Sequence, residues 1–119
     1  MVLVMQTEMR EPTFWVLTVL AAGRRHGYAL IRETSELSGG RVGLKVATLY
    51  AALERLEKAG WVAPDGDETV DGRQRRYFRL TAEGNQALTD EVARIEANAS
   101  QAKSRLASSR PVPRMGATS

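Results

Sequence analysis

Two residue types that build catalytic and metal sites are almost absent from this chain of 119 residues. It has no cysteine, which excludes disulfide bonds and thiolate metal sites. Its single histidine, His26, is too little for a histidine metal site or a catalytic dyad. There is also no glycine-rich phosphate loop and no nucleophile arrangement. We therefore expect a protein without a cofactor or metal that is not an enzyme.

Long hydrophobic runs are missing as well. No apolar run approaches the roughly 20 residues that a membrane-spanning helix needs. The segment Met1-Val-Leu-Val-Met5 is too short for a signal peptide and lacks its basic flank. The absence of cysteine is compatible with a reducing compartment. We expect a cytoplasmic protein with no membrane partner.

Charge of either sign is nearly balanced, with 17 basic and 14 acidic residues, a net charge of +3 and a pI of about 9.7. This balance is compatible with an anionic partner, but the distribution of the charges is more informative than their total. The 43% of hydrophobic residues is ordinary for a globular protein. The length allows one small domain with an appendage.

The best-defined element is a helix over residues 46–59. Its large apolar residues recur at spacings of three, four and three, which places them on one face: Val46, Leu49, Leu53 and Leu56. The opposite face is small or basic and can approach another surface closely: Thr48, Ala51, Ala52, Arg55 and Lys58. Gly60 tolerates the left-handed conformation that ends a helix.

A strand, an acidic loop and a second strand follow this helix. The sequence predicts a first strand at Trp61-Val-Ala63, a loop at residues 65–72 and a second strand at residues 75–80. In the second strand, Phe78 and the alternate residues face the core, so Arg76 is expected to pair with an acidic group. Arg75 and Arg79 are then the freer charges. Helix, strand, loop and strand in this order predict a winged helix-turn-helix, with residues 46–59 as its recognition helix.

Two helices precede the recognition helix. Pro12 opens the first, which is apolar nearly all round up to Ala22, so part of its surface should be covered by something beyond the core of this domain. The second extends from Tyr28 to about Leu37, with one apolar stripe formed by Leu30, Ile31, Thr34 and Leu37. Lys45 then occupies the N-cap of the recognition helix. Because Lys is a poor cap, the first amides of that helix are available to a phosphate, or Lys45 is simply exposed.

The last helix begins at its cap, Thr81. Apolar residues then recur at alternating spacings of four and three, a heptad seam formed by Leu88, Val92, Ile95, Ala99, Ala102 and Leu106. A helix of about 25 residues is about 37 Å long, too long to pack only on its own domain. We expect it to pair with another chain.

These elements predict an α+β fold, mainly α: a winged helix-turn-helix with a long C-terminal dimerisation helix. The expected organisation is an N-terminal arm at 1–10, a winged helix-turn-helix DNA-binding domain at 11–81, the dimerisation helix at 82–106 and a disordered tail at 107–119.

Several motifs resemble the PadR family of transcriptional regulators over about residues 12–90. They are Leu17 to Leu20, His26-Gly-Tyr28, Thr48-Leu-Tyr50 and Arg76-Tyr-Phe-Arg-Leu-Thr81 with Gly84. The single C-terminal helix is similar to that of the smaller subgroup, in which it forms a homodimer with the first helix. The resemblance implies a repressor that leaves a near-palindromic operator in duplex DNA when a small-molecule or stress signal acts on it.

The resemblance also implies roles for individual residues. Together with Lys45 from the capping argument, the expected DNA-binding residues are Tyr28, Lys45, Thr48, Tyr50, Arg73 and Arg75. Together with the heptad seam, the expected dimer interface is Phe14, Trp15, Leu88, Val92, Ile95, Ala99, Ala102 and Leu106. Residues 45–47 depart from the Ser, Pro and Gly of many members. Because no aromatic residue occurs in 82–119, the aromatic ligand pocket that some small members build on the last helix is not carried over.

Each of these residues also has a plainer interpretation. Tyr50 either contacts phosphate or only packs its ring, and Arg73 and Arg75 either bind DNA or form a solvated strand edge. His26 is a capping or packing residue in preference to a sensor. Trp15 is a weak candidate for an effector pocket whose ligand is unknown, with packing the stronger alternative. For the whole chain, the alternative is a winged-helix protein-interaction module without DNA binding.

Overall fold

The computed structural model describes residues 9–109, which form four helices and a small antiparallel sheet. In chain order the elements are α1 (Glu11–Ala21), β1 (Arg25–His26), α2 (Gly27–Leu37), α3 (Val46–Lys58), β2 (Val62–Val70), β3 (Arg73–Leu80) and α4 (Ala82–Ser109). This mainly helical winged-helix fold with a long C-terminal helix confirms the predicted fold class. Helix α4 continues to Ser109 and not only to residue 106. Most of the expected arm and tail lies outside the described residues.

Packing divides the chain into two units at Thr89 and Asp90. The first unit is built around one core, in which α1, α2 and α3 pack together and against the sheet. Its buried members are Val16, Leu17, Val19, Leu20, Leu30, Leu49, Leu53, Leu56, Val62 and Phe78. The sheet has the order β1-β3-β2, with β3 antiparallel to both neighbours. The second unit is the continuation of α4.

Two helices deviate from their predicted faces. Val46, predicted on the apolar face, is 46% exposed because it is the first residue of α3 and precedes the turn that packs. Ala52, predicted on the outer face, is buried, since it lies three residues after Leu49 on the same stripe. Leu37, predicted on the apolar stripe of α2, is 53% exposed because it is the last residue of that helix, beyond the buried Thr34.

The prediction of an acidic loop at residues 65–72 is wrong. Strand β2 continues to Val70, and the turn consists only of Asp71 and Gly72, which have φ angles of 50° and 74°. A positive φ at both central residues is typical of the tight two-residue hairpin turn. The acidic residues remain in the strand because they lie opposite arginines, with Asp67 paired with Arg76 and Glu68 paired with Arg75.

The expected environments of two arginines are exchanged. Arg75 is half-buried, and its Nη1 atom lies 3.5 Å from Nε2 of His26. Arg76 is exposed, and its guanidinium carbon lies 5.6 Å from the ring centre of Phe78. The alternation that buries Phe78 does not bury Arg76, because that part of the hairpin extends past the hydrophobic core. Arg79 is exposed, as predicted.

Candidate nucleic-acid interface

The start of α3 is open to solvent. Its N-cap residue, Lys45, is extended and provides no side-chain hydrogen bond to the helix. Lys45 and Thr48 are both exposed, and Tyr50 is 42% exposed. Because the first amides of a helix have no partners within it, an uncapped and exposed first turn presents donors and a partial positive charge to an anion.

A small cavity of about 130 Å³ lies beside α3, between the beginning of α2 and the outer half of β3. It brings together four of the six predicted DNA-binding residues, namely Tyr28, Tyr50, Arg73 and Arg75. Four further residues line it: His26, Gly27, Gln74 and Arg76. Tyr28 is 60% exposed, so the cavity is open at this side chain. Lys45 and Thr48 are not among its lining residues. Residues from three elements thus place hydroxyl and guanidinium donors around one concave surface.

Gly27 determines the position of Tyr50 in this cavity. A Cβ atom on residue 27 would lie 2.5 Å from the Tyr50 hydroxyl oxygen and 3.0 Å from the ring carbon that carries it. On its other side, the Tyr50 ring lies edge-on to Phe78, with 6.3 Å between the ring centres. The tyrosine is therefore held between α2 and β3, and this close approach requires glycine at residue 27.

Replacing Gly27 by alanine is expected to displace the Tyr50 hydroxyl while the domain stays folded. The group that must move is the far end of a side chain, so the free energy of unfolding should change by only about 1 kcal/mol. Duplex-DNA affinity should fall about two- to tenfold, the value of one hydrogen bond. Thermal melting and fluorescence anisotropy measure the two effects, with Tyr50→Phe as the matched variant. Unchanged DNA affinity in both variants would assign Tyr50 a packing role only.

The charges of the β2–β3 hairpin largely offset each other. Residues 65–79 contain four acidic residues and four arginines: Asp65, Asp67, Glu68, Asp71, Arg73, Arg75, Arg76 and Arg79. The Glu68 carboxylate accepts a hydrogen bond from the Tyr77 hydroxyl at 2.6 Å. This bond is the main reason that the pKa of Tyr77 is raised. An anion would therefore meet the local group of cavity-lining arginines and not a uniformly basic wing.

His26 is the principal residue that the sequence analysis left out of the interface. It is the N-cap of α2, where its Nδ1 atom accepts a hydrogen bond from the Ala29 amide at 3.3 Å. Burial, followed by the positive charges of Arg75 and Arg32, lowers its pKa. The expected capping role is present, and the same imidazole also lines the cavity. The position of His26 before Gly27-Tyr28 is a local sequence signal for its capping role. Its place in the cavity depends on the approach of β3, which is a tertiary contact and has no local sequence signal.

Arg24 is a second residue that the sequence analysis did not assign to this region. Its Nη1 atom donates to the carbonyl oxygen of Asp65 at 2.8 Å, and its guanidinium carbon lies 4.1 Å from the Tyr77 ring centre. Arg24 therefore ties the segment before α2 to the hairpin. The neighbouring Arg25 is paired with Glu33 at 2.9 Å.

Trp15, the weak effector candidate, is engaged locally. Its Nε1 donates to Glu11 at 3.0 Å, and its ring lies edge-on to Phe14 with 5.1 Å between the centres. The Trp15 hydrogen bond, followed by that from Arg41, lowers the pKa of Glu11. A groove of about 780 Å³ at the start of α1 and the end of α3 does not include Trp15 among its lining residues. These contacts favour the packing interpretation of Trp15.

The predicted dimer residues differ in exposure. Phe14 and Trp15 are half-buried, and Leu88 packs against the core of the first unit. In the second unit, α4 exposes Val92 by 39%, Ile95 by 41% and Leu106 by 69%. Ala99 and Ala102 are exposed on the same helix. A row of exposed apolar residues at heptad spacing is what a helix that pairs with another helix presents.

Metal and membrane chemistry have no counterpart in the described part of the chain. Between residues 9 and 109, no group of three His, Asp or Glu side chains is placed to hold a metal ion. Among the helices of that same range, none is long and apolar enough to span a bilayer.

Comparisons with known proteins agree with the motifs. Residues 16–90 match the sequence model described as the "Transcriptional regulator PadR-like family". A protein named "Uncharacterized protein X" from Lysinibacillus sphaericus is 32% identical over 77 residues, which are 65% of this chain and 71% of the relative. The transcriptional regulator Rv3488 of Mycobacterium tuberculosis is 40% identical over 63 residues, which are 53% of this chain and 58% of that protein. Bacillus subtilis PadR in complex with operator DNA has a similar fold, with a TM-score of 0.63 and 24% identity over 71% of this chain and 48% of that one.

Proposed function

The chain belongs to the PadR-like family of transcriptional regulators, and from this we propose that it is a homodimeric repressor that binds near-palindromic duplex DNA. A small-molecule or stress signal would release it from the operator. The observation that carries the proposal is the cavity in which Tyr28, Tyr50, Arg73 and Arg75 converge beside the open start of α3. Membership of this family makes the protein a regulator and not an enzyme.

Each part of the interface has its own role in this proposal. Helix α3 enters the major groove, where the exposed Thr48 reads base edges and Lys45 approaches the backbone. Arg73 and Arg75 contact phosphates, which position the protein without specifying sequence. Tyr28 and Tyr50 supply hydroxyl donors to the same strand of backbone. The operator bound to Bacillus subtilis PadR supports duplex DNA as the partner of this fold.

Dimerisation would be mediated by α4 together with α1. The exposed apolar row on α4 is the supporting observation, because Val92, Ile95 and Leu106 are large side chains that a lone helix leaves in water. In a two-fold dimer, two copies of α3 would enter successive major grooves about 34–36 Å apart. The operator should therefore consist of two half-sites related by inversion.

Ile95→Glu is expected to convert the dimer to monomers. Ile95 is 41% exposed within one protomer, so the new charge is tolerated there but is costly in a helix–helix seam. Analytical ultracentrifugation measures the mass, and circular dichroism checks that the helices remain. Ala97→Glu adds the same charge at an exposed position outside the heptad seam and should stay dimeric. A dimer that survives Ile95→Glu would reject the α4 seam.

Fluorescence anisotropy tests the DNA-binding function directly. Purified protein is titrated into a duplex from upstream of its own gene and into an unrelated duplex, over a series of salt concentrations. Nanomolar binding to the first with weaker binding to the second supports a sequence-specific regulator. Equal, weak binding to both places the operator elsewhere, and selection from random duplexes would then identify it. No binding at low salt rejects DNA binding by the unliganded protein.

A second candidate function is a winged-helix protein-interaction module. The observation in its favour is the offsetting charge of the β2–β3 hairpin, which gives the wing no net attraction for a polyanion. Under this alternative, the protein binds no duplex at low salt although its fold and dimer are intact. The same titration therefore distinguishes the two functions.

A further inference from the structure

The imidazole of His26 has two nitrogen atoms with different surroundings. Nδ1 accepts the Ala29 amide at 3.3 Å, and Ala29 is buried. Nε2 lies 3.5 Å from Nη1 of Arg75, and both residues line the cavity. Tyr77 holds the orientation of the ring, which it meets edge-on with 5.4 Å between the ring centres.

The cap determines which nitrogen of His26 carries the proton. A buried amide at a helix start needs an acceptor, so Nδ1 keeps its lone pair, and the proton of the neutral ring is on Nε2. The lowered pKa of His26, caused by burial and then by Arg75 and Arg32, favours this neutral form. The guanidinium of Arg75 has donors only. Nε2–H and Nη1–H are therefore two donors side by side, and neither can accept from the other.

The nearby carboxylates already have other donors. Glu33 accepts from Arg25 at 2.9 Å, and Glu68 accepts from the Tyr77 hydroxyl at 2.6 Å. The cavity in front of the donor pair is lined by further donors from Tyr28, Tyr50 and Arg73. The Gln74 amide oxygen and the tyrosine hydroxyls of this surface can also accept, but they carry no negative charge that would balance the arginines. A phosphate oxygen has both the charge and the two lone pairs to receive both hydrogen bonds at once.

We propose that His26 contacts DNA, and that its Nε2–H and the Arg75 guanidinium together hold one phosphate of the backbone. The inference rests on the proposed DNA-binding function and assigns a new residue to its interface. One imidazole then has two tasks, since Nδ1 caps α2 while Nε2 binds the phosphate. The cap fixes the direction of Nε2–H, which makes the phosphate contact geometrically specific although it carries no sequence information.

Two substitutions test the roles of the two nitrogen atoms separately. In His26→Asn the side-chain oxygen replaces Nδ1, and Asn is a preferred N-cap residue, but no donor reaches the position of Nε2. In His26→Gln the amide nitrogen reaches toward the position of Nε2, but Gln is a poor cap. We expect His26→Asn to melt close to the wild type and to bind DNA about two- to tenfold more weakly, the range for one hydrogen bond. We expect His26→Gln to melt at a lower temperature and, where it is folded, to bind DNA about as tightly as the wild type.

The measurement is anisotropy with the upstream duplex and an unrelated duplex, together with thermal melting without DNA. The loss in His26→Asn should be equal on both duplexes, because the contact is to the backbone. In an Arg75→Ala background the same substitution should cost less, because both residues act on one phosphate. Wild-type affinity in folded His26→Asn, or equal losses in His26→Asn and His26→Gln, would overturn the inference while DNA binding itself stands. Failure of the wild type to bind either duplex would instead reject the proposed function, and this inference with it.

Discussion

Gly84→Ala is expected to destabilise the winged-helix domain by about 3 kcal/mol, the upper part of the range for an overpacked core. Gly84 is buried in the first turn of α4, where an added Cβ would press against the carbonyl oxygen of Trp61 and lie 2.8 Å from Cδ1 of Leu80. The Trp61 oxygen cannot yield easily, because it accepts the Thr81 amide at 3.0 Å. Thr81 is in turn tied to Gly60 by a hydrogen bond of 2.6 Å.

The expected change in stability has the opposite sign to the change that helix propensity alone predicts. Alanine in a helix is favoured over glycine by about 1 kcal/mol, so propensity alone predicts a gain at residue 84. The steric conflict is larger because it involves backbone, and separating α4 from Trp61 would also break the Thr81 bonds. For a domain of this size, about 3 kcal/mol corresponds to a fall in Tm of about 12–24 °C.

Thermal melting followed by circular dichroism measures the effect, with Gly43→Ala as the matched control. A Cβ on residue 43 meets nothing within 4 Å, and its φ is not in the left-handed region. The control should therefore melt within a few degrees of the wild type. Equal melting temperatures for the two variants would show that the junction between Trp61 and α4 adjusts freely.

Local patterns were sufficient to identify the four helices and several of their ends, although α4 continues to Ser109, past its predicted end at residue 106. The spacing of Leu49, Leu53 and Leu56 identified the buried face of α3, and Gly60 ends the helix with a φ of 82°. Thr81 caps α4 by accepting the Gly84 amide at 3.0 Å, as predicted. These features depend on residues within one or two turns of each other, so they are visible in the sequence.

The hairpin and the cavity depend on pairings that local patterns do not determine. Two Asp-Gly pairs could each have formed the turn: Gly66 lies instead beside the β-bulge, and Asp71-Gly72 forms the turn. That choice sets the register and places Glu68 opposite Arg75. The contact between Gly27 and Tyr50 likewise joins residues on different helices. The resemblance to the PadR family predicts Tyr28, Tyr50, Arg73 and Arg75 as DNA-binding residues. For His26, the sequence indicates only a capping or packing role.

Arg75→Ala is expected to weaken binding to every duplex by about 10–100-fold, the value of a hydrogen bond to a charged group. Arg75 is half-buried in the lining of the cavity, so its side chain has less conformational freedom than an exposed arginine and loses less entropy on binding. Since a phosphate contact releases counterions, the slope of log K against log salt should become shallower by about 0.9 for each contact removed. Thr48→Ala should instead reduce the preference for the operator over random DNA.

Arg79→Ala distinguishes the effect of where the Arg75 charge lies from the effect of net charge alone. Arg79 is an exposed arginine on the same strand, and it is not among the residues that line the cavity. Its loss changes the net charge by the same amount as Arg75→Ala, so a purely long-range attraction predicts equal effects for the two variants. A specific contact in the cavity predicts a large loss and a shallower salt slope for Arg75→Ala only. Equal slopes in both variants would assign the attraction to net charge and remove Arg75 from the interface.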